Sequence, residues 1–410
     1  MPFLLLLYIL AFLDRVNVGY AKQAFLRDTG LSEATYAFGA GIFFLGYALF
    51  EVPSNLAMHR VGARVWMCRI MVTWGLISAA MAFAWSEASF HGLRFLLGVA
   101  EAGFFPGVIL YLTYWFPASR RGTVMGLFYL GAPLAQIFGG PVSGLLLELD
   151  GFGGLHGWQW MFLVEGLAAS AVGVWTFWYL PDRPADAAWL DAAQRSALAS
   201  AVAAEEPAHG DGHPGVWAML CRPRVLYFGL IYGLIQISVY GVIFYLPAQV
   251  SRLLGREAGL AVGLVSAIPW TCALAAAFAL PRLAGRIGRR RAVVVAALLA
   301  AGAGIAGSAS GSPGWALAAL CVATAGFIGA QPLFWTFPTG ELTGVQAAGG
   351  IALINSLGAL GGFIAPNLRV FVERSAGAST AGLYALAGAS LLAAVLVAVL
   401  REARPRPEQA

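Results

Sequence analysis

Charge is scarce in this 410-residue chain: 11% of its residues are charged and 60% are hydrophobic. A soluble chain of this length carries roughly a quarter charged residues and about half apolar ones. So few charges cannot furnish the polar skin of a water-soluble globule, which excludes a string of soluble domains. Lysine is nearly missing, since Lys22 is the one lysine among 25 basic residues. The arginines lie between apolar runs and do not form the clustered basic face that nucleic acid requires, so no nucleic-acid partner is expected. Cysteine is sparse too. Cys68, Cys221, Cys272 and Cys321 stand far apart, with no CxxC and no histidine at metal-ligand spacing, and read as small buried hydrophobes. His209 and His213, in HGDGH, read as a solvated loop. No metal or cofactor is expected. There is no GxxxxGK[ST] phosphate loop, so ATP does not supply the energy. Nor is there a Ser-His, His-Asp or metal constellation near the apolar runs, which argues against an enzyme.

What the chain has in abundance is long apolar runs. A spanning helix needs about twenty mostly apolar residues, and runs of that order recur twelve times. They lie near 2–22, 34–57, 65–84, 89–113, 121–147, 158–180, 224–247, 258–281, 290–309, 313–336, 345–372 and 379–400. The period-two alternation of a barrel strand is absent. In lipid the backbone must satisfy itself, which leaves helices. The expectation is an all-α membrane protein of twelve transmembrane helices in two six-helix bundles. The opening MPFLLLLYILAFLDRV has a signal-like apolar core but no basic leader, and Asp14 and Arg15 stand where a cleavage site would be. It is read as a retained first helix; a longer natural N-terminus stays open.

Arginine placement orients the chain. With the N-terminus inside, sixteen basic residues fall in cytoplasmic segments, among them Arg60, Arg64, Arg120, Arg121, Arg282 and Arg286, against six outside, including Lys22 and Arg27. Both termini are therefore expected in the cytoplasm. Residues 181–223 break the rhythm, and their Leu, Ala and charge spacing suggests a short amphipathic helix on the membrane surface. The expected layout is a bundle over 1–180, a cytoplasmic linker over 181–223, a second bundle over 224–400 and a tail over 401–410. Six plus six helices around a long middle loop is the layout of secondary transporters that run on a gradient.

A charge at mid-bilayer costs about 2.5 to 3.5 kcal/mol on insertion scales, so those present are functional by default. Four lie deep in the first half: Asp14 and Arg15 in the first run, Arg94 and Glu101 in the fourth. Arg94 and Glu101 are nearly two helical turns apart, on one face and about 10 Å from each other, as if lining one cavity wall. Asp14 and Arg15 splay by about 100 degrees, so one of them must look toward a neighbouring helix. Two guanidiniums in a low-dielectric cavity suit a carboxylate, which arginine grips with parallel hydrogen bonds. The carboxyls Asp14 and Glu101 are candidates for proton coupling. Static salt bridges, Asp14 with an arginine and Arg94 with Glu101, are the competing reading, although buried pairs stabilise poorly against apolar packing. In the second half Gln236, Tyr240, Gln331 and Asn355 are polar residues that could face a cavity. Gly139, Gly140, Gly144 and Pro141 permit close approach and bending of the fifth helix, which also suits an efflux antiporter. Glu51 reads as a gate or loop anchor; Glu165 finds no place.

The stretches FLDRVNVGYA, GAGIFFLGYALFEVPSNLAMHRVGAR, RFLLGVAEAGFFPGVILYLTYWFP and LPDRPADAAWL, in that order, resemble the major facilitator superfamily. Within it they look like the anion:cation symporter family, nearest to bacterial tartrate, phthalate and hydroxyphenylacetate permeases. The resemblance spans nearly the whole chain. The sequence departs from the superfamily's GxxxDRxGRR loop, with NLAMHRVGAR after the second run and Gly285 in PRLAGRIGRRR where an acidic residue is usual. The resemblance implies the major facilitator fold in a bacterial inner membrane. It further implies proton-coupled uptake of an organic anion such as a carboxylate or sugar acid by a monomer. It assigns Arg15 and Arg94 to the substrate carboxylate, Asp14 and Glu101 to proton coupling, and a cavity tyrosine to Tyr47; Asn355 is the matching polar candidate from the second half.

Overall fold

The protein is described here from a computed structural model. It covers the backbone of residues 1–116, 118–187, 189–203, 222–341 and 345–400; side chains at 59, 118–123, 199, 201, 203, 345–349 and 352 are outside the description. The histidine-containing loop, residues 188 and 204–221 of the expected linker, and the expected tail fall outside these residues.

Among the described residues every regular element is helical. In the first part of the chain these are α1 (Pro2–Thr29), α2 (Glu33–Val61), α3 (Ala63–Ala80), α4 (Glu87–Glu101), α5 (Phe104–Trp115), α6 (Ala118–Tyr129), α7 (Gly131–Leu147), α8 (Gly157–Tyr179) and α9 (Ala192–Ala203). Then come α10 (Pro223–Ile243), α11 (Leu246–Leu254), α12 (Leu260–Ile287), α13 (Arg290–Gly307), α14 (Pro313–Glu341), α15 (Val345–Ala376) and α16 (Ala381–Val399). Among the described residues eleven stretches are long and apolar enough to cross a membrane, some made of two consecutive helices, as Glu87–Trp115 is of α4 and α5. The remaining expected run, near 345–372, lies within α15.

Local chemistry sets the ends. Pro2 opens α1 where no amide donor is needed, and Gly30 closes it in the left-handed conformation, φ 70°. Ser32 caps α2 by accepting the amide of Thr35 at 3.1 Å, and Ser86 and Ser89 cap α4 reciprocally. The expected run 89–113 is continuous in hydropathy, yet the helix breaks at Ala102 and Gly103. Gly103 has φ 86°, a conformation a side chain resists. α4 therefore ends on Glu101, and α5 starts afresh.

The chain divides into two compact units, Met1–Asp211 with Ile243–Ile268, and Gly212–Val242 with Pro269–Ala410. In the first, α3 packs along α8 and α2 along α4, with α1 against α7 and α8. Lipid gives helices no hydrophobic reason to associate, so small residues that let backbones meet do that work. At the α3–α8 crossing a Cβ on Gly75 would stand 2.7 Å from the Ser170 amide, and one on Gly166 2.5 Å from that of Ala79. In the second unit α13 is the central partner of α14 and α16.

Candidate functional site

Five ionisable side chains lie together in the apolar interior of the first unit. Their exposures are Asp14 1%, Arg15 8%, Arg94 0%, Glu101 1% and Glu165 3%. An ion withdrawn from water loses several kcal/mol unless its neighbours replace the hydration, so the partners define what each group can do.

Arg15, on α1, donates from Nη2 to Oε1 of Glu101 at the end of α4. Its guanidinium also lies over the rings of Phe12 at 5.2 Å, Phe43 at 5.3 Å and Tyr47 at 5.1 Å. Among the described residues Arg94, on α4, meets no carboxylate. Its Nε and Nη2 donate to the α2 carbonyls of Gly39 and Ala40 at 3.2 and 3.3 Å. Its Nη1 has no partner although buried, and its guanidinium lies 5.1 Å from the Phe43 ring. Both guanidiniums thus lie within cation–π range of Phe43, a contact worth about 2 kcal/mol or more where water is excluded. Glu101 takes Arg15 rather than its helix-mate Arg94 as partner, so the Arg94–Glu101 salt bridge weighed from the sequence is not formed.

Asp14 looks away from this pair. It accepts the Trp74 indole N–H at 2.9 Å and the Ser78 hydroxyl at 2.7 Å, both from α3. Among the described residues every hydrogen-bond donor to it is neutral. The static Asp14–arginine bridge is likewise not formed. The 100 degrees between consecutive helical residues separates the two roles: Arg15 reaches α4 and Asp14 reaches α3.

Of the other residues singled out in the sequence, Tyr47 is buried under Arg15. Asn355 stands half-buried on α15 in the second unit, with Gln236 and Tyr240 on α10 and Gln331 on α14 of that unit. Glu51 is buried within electrostatic reach of Tyr47. Sequence reasoning missed Asn17, Trp74, Ser78 and Ser143, which carry no charge, and left Glu165 without a place. It also missed Arg369, which is buried on α15 with Glu373 2.8 Å away. Asp28, Asp150 and His156 bring three ligand atoms within 4.8 Å of one another. Those carboxylates are already engaged, by Arg27 and Trp158 on Asp28 and by the Gly157 amide on Asp150.

The major facilitator superfamily pattern matches residues 4–366. The chain is 48% identical over 400 residues to the inner membrane transport protein RhmT of Escherichia coli strain K12, covering 98% of this chain and 93% of that one. It is 44% identical over 406 residues to a putative tartrate transporter of Agrobacterium vitis, covering 99% and 90%. In fold it resembles a partially occluded inward-open structure of the xylose transporter XylE from E. coli, with a TM-score of 0.75 at 15% identity over 98% of both chains. The buried charges thus sit in a polytopic helical bundle whose relatives carry solutes, and this chain belongs to the Major Facilitator Superfamily as a multi-pass membrane transporter, not an enzyme.

Proposed function

We propose that this transporter takes up an organic anion, a carboxylate or sugar acid, in symport with protons across a bacterial inner membrane, with both termini cytoplasmic and the monomer as the working unit. The observation that carries the reading is the buried Arg15–Glu101 pair. A substrate carboxylate and Glu101 are chemically the same ligand for one guanidinium. The substrate can take Arg15 only as Glu101 lets go, and Glu101 can let go in an apolar interior only by accepting a proton. Competition for Arg15 then links anion binding to proton binding, with no other moving part.

Arg94 supplies the second grip. Two of its nitrogens are held by α2 carbonyls, which fixes the fork, and the idle Nη1 is left to bond an anion. Tyr47 sets the Arg15 guanidinium from below, and Asp14 serves as a further proton acceptor. Loaded with anion and proton, the cluster carries less charge and crosses the alternating-access transition more easily. One pH unit is worth about 1.4 kcal/mol per proton, and each net charge moved about 2.3 kcal/mol per 100 mV. The kinship with a putative tartrate transporter supports a small hydroxy-acid as first substrate to try.

The test is uptake into proteoliposomes under an imposed inward proton gradient, with tartrate, sugar acids, phthalate and aromatic acids as the panel. At least one anion should accumulate, and an uncoupler should abolish the accumulation. Accumulation indifferent to the uncoupler refutes symport, and proton-driven export of the same compounds would replace it with efflux antiport.

A further inference from the structure

The competition at Arg15 leaves Glu165 without a task. Glu165, on α8, accepts the Ser143 hydroxyl of α7 at 2.7 Å on Oε1 and the Asn17 amide Nδ2 at 3.0 Å on Oε2. The same Nδ2 lies 3.4 Å from Oδ1 of Asp14. One amide nitrogen therefore bridges two buried carboxylates on different helices. Asp14 is one turn before Asn17 on α1, so both face the side where α3 and α8 pack.

The donors to this pair are Trp74, Ser78, Ser143 and Asn17, all neutral. Among the described residues no cation touches either carboxylate. The titratable and charged groups within electrostatic reach are Tyr20 on α1, acting on Glu165, and Glu101 and Arg94 on α4, acting on Asp14. From α3 and α7 come only neutral donors. Counting the whole cluster, three carboxylates stand against two guanidiniums, and the guanidiniums are bonded elsewhere, Arg15 to Glu101 and Arg94 to the α2 carbonyls. Two linked negative charges without a contacting cation are costly in a dry interior, and such carboxyls take up and release protons as a pair.

Asn17 provides the second, independent mark. It is fully buried, its donor is shared between two acceptors, and its own carbonyl Oδ1 has no partner. An amide has a donor end and an acceptor end. With both carboxylates ionised only Nδ2 is useful. Once one carboxyl carries a proton, a turned amide presents Oδ1 to that O–H. The idle oxygen is what a site that changes its proton count needs.

We propose that Asp14, Asn17 and Glu165 form a second proton-binding site, in which the two carboxylates share one proton read by the Asn17 amide. The inference extends, and rests on, the reading of Asp14 as a proton acceptor, and it adds Glu165 as the partner and Asn17 as the positioning residue. An O–H bond forms on one carboxyl with a proton taken from water, and the proton returns to water when the pair ionises again. The site lies where α1, α3, α7 and α8 meet, so its proton alters packing among those helices while Glu101 answers to the substrate.

The experiment is an infrared pH titration of the full chain in lipid vesicles without substrate, following the C=O stretch of protonated carboxyls. Wild type, Glu165→Gln, Asp14→Asn, the double variant and Asn17→Leu are compared, each after its melting midpoint and elution volume match wild type. Glu165→Gln should remove the share of one carboxyl from the titrating band and move the midpoint of the remaining Asp14 component by about one pH unit or more. Asn17→Leu should keep both carboxyls and change their coupling. An unchanged band in Glu165→Gln, or single-variant changes that simply add in the double variant, overturns the proposal. Tartrate uptake is run in parallel: if wild type moves no carboxylate the symport reading fails while the infrared outcome still decides the pair, and proton-driven uptake with no shared proton sinks the pair alone.

Discussion

Glu101→Gln isolates the coupling step. Gln keeps the shape of Glu101 and still offers a carbonyl oxygen to Arg15, the ionic partner of Glu101, but it cannot take up a proton. In the wild type each coupled proton contributes about 1.4 kcal/mol per pH unit, an accumulation of about tenfold. A monoanion moving with one proton should therefore reach about tenfold accumulation per pH unit. A dianion such as tartrate moving with two should reach about a hundredfold, in both cases without help from voltage.

Removing the Glu101 proton removes one of those factors. The monoanion should then equilibrate with no accumulation. For the dianion about tenfold per pH unit remains, and net negative charge now moves inward, so an inside-negative potential of 100 mV opposes the flux by about 2.3 kcal/mol. Exchange needs no net proton movement and should persist. The assay is radiolabelled tartrate in proteoliposomes, with pH gradient and potassium-diffusion potential set independently, and counterflow as the exchange control. If Glu101→Gln accumulates substrate as wild type does and stays insensitive to voltage, competition at Arg15 is not the coupling device.

Arg94→Ala should raise the KM for the anion by about 30-fold or more, the equivalent of the 2 kcal/mol lower bound for truncating a buried charged partner. Arg94→Lys should not restore it, because an ammonium cannot bond both α2 carbonyls and an anion with a fixed fork; initial uptake rates over a concentration series decide both. Asn355→Ala is expected to raise KM severalfold and leave the accumulation ratio unchanged, as a polar substrate contact without a proton would; a lost ratio at unchanged KM refutes that role. Gly166→Val should lower the melting midpoint of the purified protein, since a side chain there meets the Ala79 backbone and overpacking costs about 1 to 3 kcal/mol. An unchanged midpoint would mean that α3 and α8 are not held by their glycines.

Hydrophobicity made the helical class readable, because a run of twenty apolar residues without barrel-strand alternation has one solution in lipid. Periodicity within one helix also worked: it separated Asp14 from Arg15. What it could not do was choose partners across helices. Arg94 and Glu101 share a helix, and their spacing invited a common wall, but Glu101 answers to Arg15, 86 positions away. The break at Gly103 that ends α4 on Glu101 hides inside an uninterrupted apolar run. Glu165 had no reading because its neighbours, Asn17 and Ser143, are uncharged and ordinary in a membrane helix, and one of them lies 148 positions away.

The distribution of buried charge says why the first unit should do the chemistry. Asp14, Arg15, Arg94, Glu101 and Glu165 all belong to it, while Arg369 on α15 is buried beside its own helix-mate Glu373. With every member of the five-residue cluster ionised, one negative charge is in excess. One resting proton on the Asp14–Glu165 pair makes the empty cluster neutral, with Arg15 on Glu101 and Arg94 on its carbonyls. An arriving carboxylate adds a negative charge, and neutrality returns only when Glu101 takes a proton. For a monoanion the two acidic sites would then have separate duties: the pair sets the charge of the empty transporter, and Glu101 answers each anion with one proton. On that division Glu165→Gln should leave the anion-to-proton ratio near wild type while changing the pH range of transport, whereas Glu101→Gln changes the ratio itself, and reversal-potential measurements on the two variants separate the duties. Equal loss of stoichiometry in both variants would mean that a single, shared proton pool serves the whole cluster.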